Sequence, residues 1–425
     1  MTPGLLGLEM LVHRPASDAQ FGDLRLYFEY SRLSFGYNGN PSIIRWVHDR
    51  SAMRQSETFR DVQVPYRDFN CEYPPLAIAV FMATGAFASS YTNYVVAFRI
   101  EMSICVLLLC LVLYKILLEC GTPLPRSALI AGAMFSIMVF LLGSMLTERF
   151  DVFPSLLVGL SLLFCIRKQY LFAGILVGLG IAAKVWPVVL LPVILIEPFK
   201  IRNFGGVIAV VAATVFTVML IHLPWLILSP THAIGYLSFL GSRGLQIESV
   251  PANALMLLAK GFHLPAESVY QWGAQDLVLP RLDEWAAILS TMLAAVLYGL
   301  ILCLAYFSRT GEAARPQRLI VNYVGVTLAV LLTAKVFSPQ YLVWLCPAIL
   351  AVDLKTGWKF FVFFVVACLC TKLELTFYDA LNALQLNAIL MLTLRNGAIC
   401  LMGLVTLRAM ARSVASRHGT DNATS

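Results

Sequence analysis

Long apolar runs, separated by short polar or charged breaks, fill most of the chain after residue 75. They lie roughly at 94–117, 127–142, 152–166, 170–183, 185–196, 204–228, 285–307, 319–336, 341–352, 358–370 and 388–407. The runs are continuous and do not alternate, which predicts helices and argues against the strands of a β-barrel. Many approach the length that a bilayer requires. The expected fold is an all-α polytopic membrane bundle of about eleven spans. Some spans are short and contain proline, which neighbouring helices tolerate. A further apolar stretch, 74–90, is barely long enough to cross and holds Gly85, so a juxtamembrane half-helix is expected there.

Composition agrees. The chain is 59% hydrophobic and 13% charged, with a mean hydropathy of +0.78. A soluble domain carries about 25% charged residues. One helical bundle can use all 425 residues. Residues 1–12 hold a short apolar patch with no basic residue before it and no small-residue cleavage site after it, so no cleavable signal is expected. Eight of the ten cysteines lie inside apolar runs, where they act as small hydrophobes. No Cys or His spacing suggests a metal site.

Basic residues gather in alternate breaks: Lys115 and Arg126, Arg167 and Lys168, Lys200 and Arg202, and the loop 308–318. Lys355 and Lys359 follow, then Arg408, Arg412 and Arg417. The positive-inside rule assigns this side to the cytoplasm. Residues 147–151, 229–284, 337–340 and 371–387 then face outward. Residues 1–91 are expected to form an external segment with a catalytic loop and the half-helix, 92–410 the bundle, and 411–425 a cytoplasmic tail. Several arginines in 1–73 pull the other way, but long segments obey the charge rule poorly. The net charge of +7 sits mostly on the inner loops and tail, so it reports topology and not nucleic-acid binding.

The outer face collects carboxylates: Asp23, Asp61, Asp68, Glu72, Glu148, Asp151 and Glu248. It also collects Arg149, Lys184, Arg243 and Lys335 at or near membrane depth. Charge there is costly and commonly serves a ligand or a reaction. Lys184 interrupts the run GILVGLGIAAKVWPVVLLPVIL and needs a partner, a wet cavity or a phosphate, unless it snorkels to the surface. Carboxylates facing such cations suit a lipid-phosphate donor. The cations would hold phosphate, and a carboxylate would act as general base on an acceptor hydroxyl. Phosphate leaves readily, so the chemistry demands no metal or cofactor.

Plainer roles stand beside these. Asp23 can cap a helix starting at Leu24, and Asp151 the span that follows it. Asp68 suits a turn, Glu72 a solvated rim, Lys335 a snorkelling site and His222 a satisfied core position. Arg243 lies in a glycine-flanked loop that suits a lid or an acceptor contact. Gly174, Gly178 and Gly180 lack the strand and Lys-Ser pair of a nucleotide site and suit close helix packing.

Five pieces in order, GDLRLYFEY, PYRDFNCEYPPL, ERFDVFPSLLVGLSLL, AGILVGLGIAAKVWPVVLLP and FSPQYLVWLCP, resemble the GT-C glycosyltransferases. The likeness is strongest to family 87, the polyprenyl-phosphate-mannose-dependent mannosyltransferases also grouped as DUF2029. It covers about Asp23 to Pro347. The resemblance implies a sugar, mannose by preference, taken from a polyprenyl-phosphate carrier on the outer face of the cell membrane and given to a lipid or glycan acceptor. It implies Asp23 as catalytic base, with Asp68 second, and Glu72 shaping the site. It implies Lys184 as a donor-phosphate ligand and Gln340 and Tyr341 as cavity lining. Arg149, Asp151 and Arg243 are the further expected substrate contacts. The sequence departs from the pattern in one place: the family has a full helix before the catalytic loop, and only residues 1–22, poorly apolar, precede Asp23 here. Two rival readings are a transporter or flippase of lipid-linked glycans, which would be expected to show paired broken helices, and a surface-glycan polymerase centred on external arginines.

Overall fold

The computed structural model describes residues 22–35, 63–271, 273–308, 315–352 and 354–421. The chain is overwhelmingly helical, as the continuous apolar runs require. Among the described residues, six helices are long and apolar enough to cross a membrane. They are α3 (Tyr91–Glu119), α4 (Leu124–Ile137, prolonged by a π-helical stretch Met138–Leu142), α8 (Phe204–Leu228), α11 (Leu282–Phe307), α12 (Arg315–Thr333) and α14 (Leu386–Asp421). Further helices complete the bundle: α5 (Val152–Ile166), α6 (Tyr170–Ala183), α7 (Leu191–Lys200) and α13 (Leu354–Thr376).

The expected span at 341–352 is not one helix. It folds as two 3-10 stretches, Pro339–Leu345 and Ile349–Ala351. Pro347 lies between them, and proline removes a helix donor and clashes with the preceding turn. The expected half-helix is present as α2 (Pro75–Ala86), started by Pro74 and Pro75. Thr84 of α2 donates to Glu101 of α3 at 2.6 Å. A short helix α1 (Gly22–Ser34) packs on α2, where Tyr27 stacks on Phe81 with ring centres 4.0 Å apart.

The bundle has two polar ends. At one, Arg167 pairs with Glu119, Arg318 with Glu197, and Lys200 donates to Ser308. Arg315 there donates to the carbonyls of Ile166 and Cys165 at the last turn of α5. These are the helix ends that the basic-loop pattern puts on one side. The other end carries α1, the turn 147–151, and the segment 229–281. That segment contains α9 (Gly235–Ser242), α10 (Val250–Phe262) and an antiparallel hairpin of β1 (Glu267–Gln271) and β2 (Ala274–Val278). Residues 245–247 lie along the hairpin: Leu277 N–H donates to Leu245 at 2.7 Å and Ile247 N–H to Gln275 at 3.0 Å. Asp61 lies outside the described residues.

Candidate active site

Lys184 owes its position to a break in a helix. α6 ends at Ala183, Lys184 takes an extended backbone, and a 3-10 turn at Trp186–Leu190 resumes with Pro187 at its start. The proline stops continuous α-helix, and the break turns the lysine inward. Its ammonium contacts the Asp151 carboxylate at 2.7 Å. It also lies 4.9 Å from the ring centre of Tyr341 and 5.7 Å from that of Trp344. Trp344 stacks between Tyr341 and Trp186, with centres 4.0 and 4.5 Å away, and donates its indole N–H to Asp151 at 2.8 Å. Snorkelling is therefore not what Lys184 does. It is held by one carboxylate and an aromatic stack.

Asp151 does not cap α5 with its side chain. It is 2% exposed and sits behind Lys184, off the cavity wall. Arg149, two residues earlier, projects into the cavity and forms an ion pair with Asp23. Asp23 stands in the first turn of α1, where an acidic side chain also suits the helix dipole.

These groups line a cavity of about 610 Å³ at the end of the bundle that carries α1 and the hairpin. Asp23, Glu72, Arg149, Lys184, Arg243, Gln340 and Tyr341 all line it, although they span 319 positions of sequence. The size is that of an ordinary small-ligand pocket. Phe239 and Leu240 of α9 and Tyr270 of β1 contribute to the wall, so the 229–281 segment covers the site. Arg243 follows α9 directly.

Asp68 stands apart from this group. Its carboxylate accepts from the Val64 N–H at 2.7 Å and pairs with Arg67 at 2.8 Å. It thereby holds a tight turn in which Tyr66 takes a left-handed backbone. The Arg67 guanidinium keeps the Asp68 carboxyl below its usual range, which makes it a poorer proton acceptor. Lys335 donates to the Gly241 carbonyl at 2.7 Å, bracing the end of α9. His222 is satisfied at both nitrogens, by the Val218 carbonyl at 2.8 Å and the Tyr236 hydroxyl at 2.9 Å.

Two features of the site lie outside the expected set. One is the aromatic stack, whose members come from segments about 150 positions apart. The other is a buried network of Glu248, Glu374 and Arg395 against the cavity. Arg395 carries the readable signal, a charge inside the apolar run 388–407. No group of acidic, His and Cys side chains suited to a metal ion occurs among the described residues.

A polytopic helical bundle with a charged cavity at one end defines a membrane protein that handles a polar or anionic substrate. The sequence model of glycosyltransferase family 87 matches residues 72–339, more than half of the chain, and the chain belongs to that family. It is a membrane glycosyltransferase. Membership decides between transfer and transport, and the transporter reading falls. The matched region contains Glu72, Arg149, Asp151, Lys184 and Arg243, while Asp23, Gln340 and Tyr341 lie beyond its ends. No curated protein matches the chain.

Proposed function

We propose that this glycosyltransferase moves a hexose, mannose by family resemblance, from a polyprenyl-phosphate carrier to a lipid or glycan acceptor at the outer membrane face. The observation that supports this best is the shared cavity of one ion-paired carboxylate, Asp23, and the two cations Arg149 and Lys184. Asp23 takes the proton of the acceptor hydroxyl. The acceptor oxygen bonds to the anomeric carbon as the bond from that carbon to the phosphate oxygen breaks. The departing phosphate is held by Lys184 and Arg149, with Arg243 reaching in from the end of α9. A single displacement inverts the anomeric centre. Donor phosphate competes with Asp23 for the Arg149 guanidinium, so donor binding frees the base. Asp151 and Trp344 keep Lys184 in place from behind.

The test uses the purified chain in lipid nanodiscs with defined polyprenyl-phosphate hexoses and membrane-lipid acceptors. Asp23→Asn is expected to lower transfer by about 100-fold or more, the range for loss of a general base. Asp68→Asn is expected to stay within a few-fold of the native rate. Equal transfer by native chain and Asp23→Asn would overturn the assignment of the base.

A further inference from the structure

Two carboxylates on the cavity wall, Glu72 and Glu248, have no part in the transfer step just described, and Glu248 is the buried one. Glu248 lines the cavity yet is only 2% exposed. Its main chain is fixed from both sides. Ile247 is tied to the hairpin, Ser249 N–H donates back to Gln246 at 2.9 Å, and Arg395 donates to the Glu248 carbonyl. Arg395 is itself fully buried. It pairs with Glu374 at 2.9 Å, donates to Asn396 at 3.1 Å, and lies 4.5 Å from the centre of the Phe337 ring. Its ion pair thus goes to Glu374, and it meets residue 248 through the backbone. The Glu248 carboxyl accepts instead from the amide of Gln246, a neutral donor.

This is an expensive arrangement. A buried carboxylate whose nearby cations are not in ion-pair contact with it is destabilising, and a second carboxylate nearby adds to that. Burial, then the Glu374 charge, push the Glu248 carboxyl up, against the opposing pull of the Arg395 and Arg149 charges. A carboxyl held this way donates when protonated and accepts when ionised. Gln246, Gln340 and Tyr378 share the cavity wall with it, and none carries a formal charge at neutral pH. The cavity therefore has cations for a phosphate and, in addition, amides with one carboxyl. The second set matches adjacent hydroxyls that both donate and accept.

We infer that Glu248, positioned by Arg395, reads the hydroxyls of the hexose ring and sets which sugar the enzyme accepts. The inference rests on the transferase reading of this cavity, and its test is made by binding so that the two separate. The full chain in nanodiscs is titrated with bare polyprenyl phosphate and with polyprenyl-phosphate mannose and glucose. The ratio of affinities, sugar-bearing over bare, measures what the sugar adds. In Glu248→Gln this ratio for the preferred hexose is expected to fall roughly 5- to 100-fold, the cost of leaving a buried hydrogen-bonding group mismatched. Its preference between the two epimers is expected to collapse with it. Affinity for bare polyprenyl phosphate is expected to stay within about 2-fold, which also reports an intact fold. A retained ratio in the variant overturns the inference. So does a parallel loss of bare-phosphate affinity, and so does a native chain whose affinity gains nothing from either sugar. A native chain that shows the sugar increment but transfers no hexose to any acceptor overturns the transferase mechanism and leaves this role of Glu248 standing.

Discussion

At the scale of single residues, the site is built from charges that would be costly alone. Asp151 is 3% exposed at its side chain and Lys184 17%, so their pair is largely shielded from solvent. Removing one partner of a buried pair leaves an uncompensated charge, at about 3–5 kcal/mol. Asp151→Asn keeps an oxygen for the Trp344 indole but deprives Lys184 of its counter-ion. The expected result is a lower unfolding midpoint in detergent and weaker affinity for polyprenyl phosphate. A variant as stable as native, with unchanged phosphate affinity, would count against Asp151 as the residue that positions Lys184. Glu248 gives a pH prediction with a definite sign. Its folded pKa is raised by burial and by Glu374, so the native chain keeps a proton that the unfolded chain has already released. The native state thus binds more protons, and stability from this group falls as pH rises above the ordinary glutamate value of about 4.3. Glu248→Gln removes that slope. The unfolding midpoint of the variant relative to native is expected to climb between pH 5 and pH 8. A flat difference across that window argues against a raised Glu248. The charge of Lys184 in an apolar run is legible in the sequence, and so is that of Arg395. Their partners are not, because Trp344 is 193 positions from Asp151 and Arg395 is 147 from Glu248.

At the scale of elements, small residues decide how closely helices approach. Thr214 of α8 donates to the Gly174 carbonyl of α6 at 3.1 Å. A Cβ on Gly174 would lie 2.6 Å from the Val210 carbonyl oxygen, and one on Gly178 2.9 Å from Thr217. Backbone cannot yield to such a contact without moving the helix. Gly174→Ala is therefore expected to destabilise by about 1–3 kcal/mol through overpacking. Gly132 in α4 has open space around it and is the control: Gly132→Ala is expected to be neutral or to stabilise by up to about 1 kcal/mol, from helix propensity. Chemical or thermal unfolding of both variants in one detergent checks the contrast, and equal stabilities would show that α6 and α8 can part without loss. The four-residue spacing of Gly174 and Gly178 puts both on one helix face, so a close helix contact there is legible in the sequence. The hairpin is less so. Its strands are only five residues each, within a polar stretch where helix periodicity is weak, and they are stabilised by residues 245–247 lying alongside. The apolar stretch 341–352 misleads for a different reason. Hydropathy reports burial, and the 3-10 pieces there are buried, the first by packing against α5 and α12 and the second against α3, α12 and α13.

At the scale of the whole molecule, the bundle separates two kinds of charge. The basic end uses its arginines structurally, with Arg315 closing the last turn of α5 and Arg318 paired to Glu197. The cavity end turns its cations toward a half-open cavity. A lipid-linked donor must present its phosphate at the membrane surface, so the end that holds the cavity fixes the compartment of the reaction. Lysine and arginine in short loops set orientation, and they lie at the end opposite the cavity. The cavity is therefore expected to open on the extracytoplasmic side. Gly273 at the hairpin tip and Lys168 between α5 and α6 are both exposed and sit at opposite ends. A cysteine placed at position 273 is expected to react with a membrane-impermeant maleimide on intact cells, above the labelling of the unsubstituted chain. One at position 168 is expected to react only after the membrane is opened. The reverse pattern would place the cavity in the cytoplasm, where a soluble nucleotide sugar could reach it, and would remove the reason for a prenyl-linked donor.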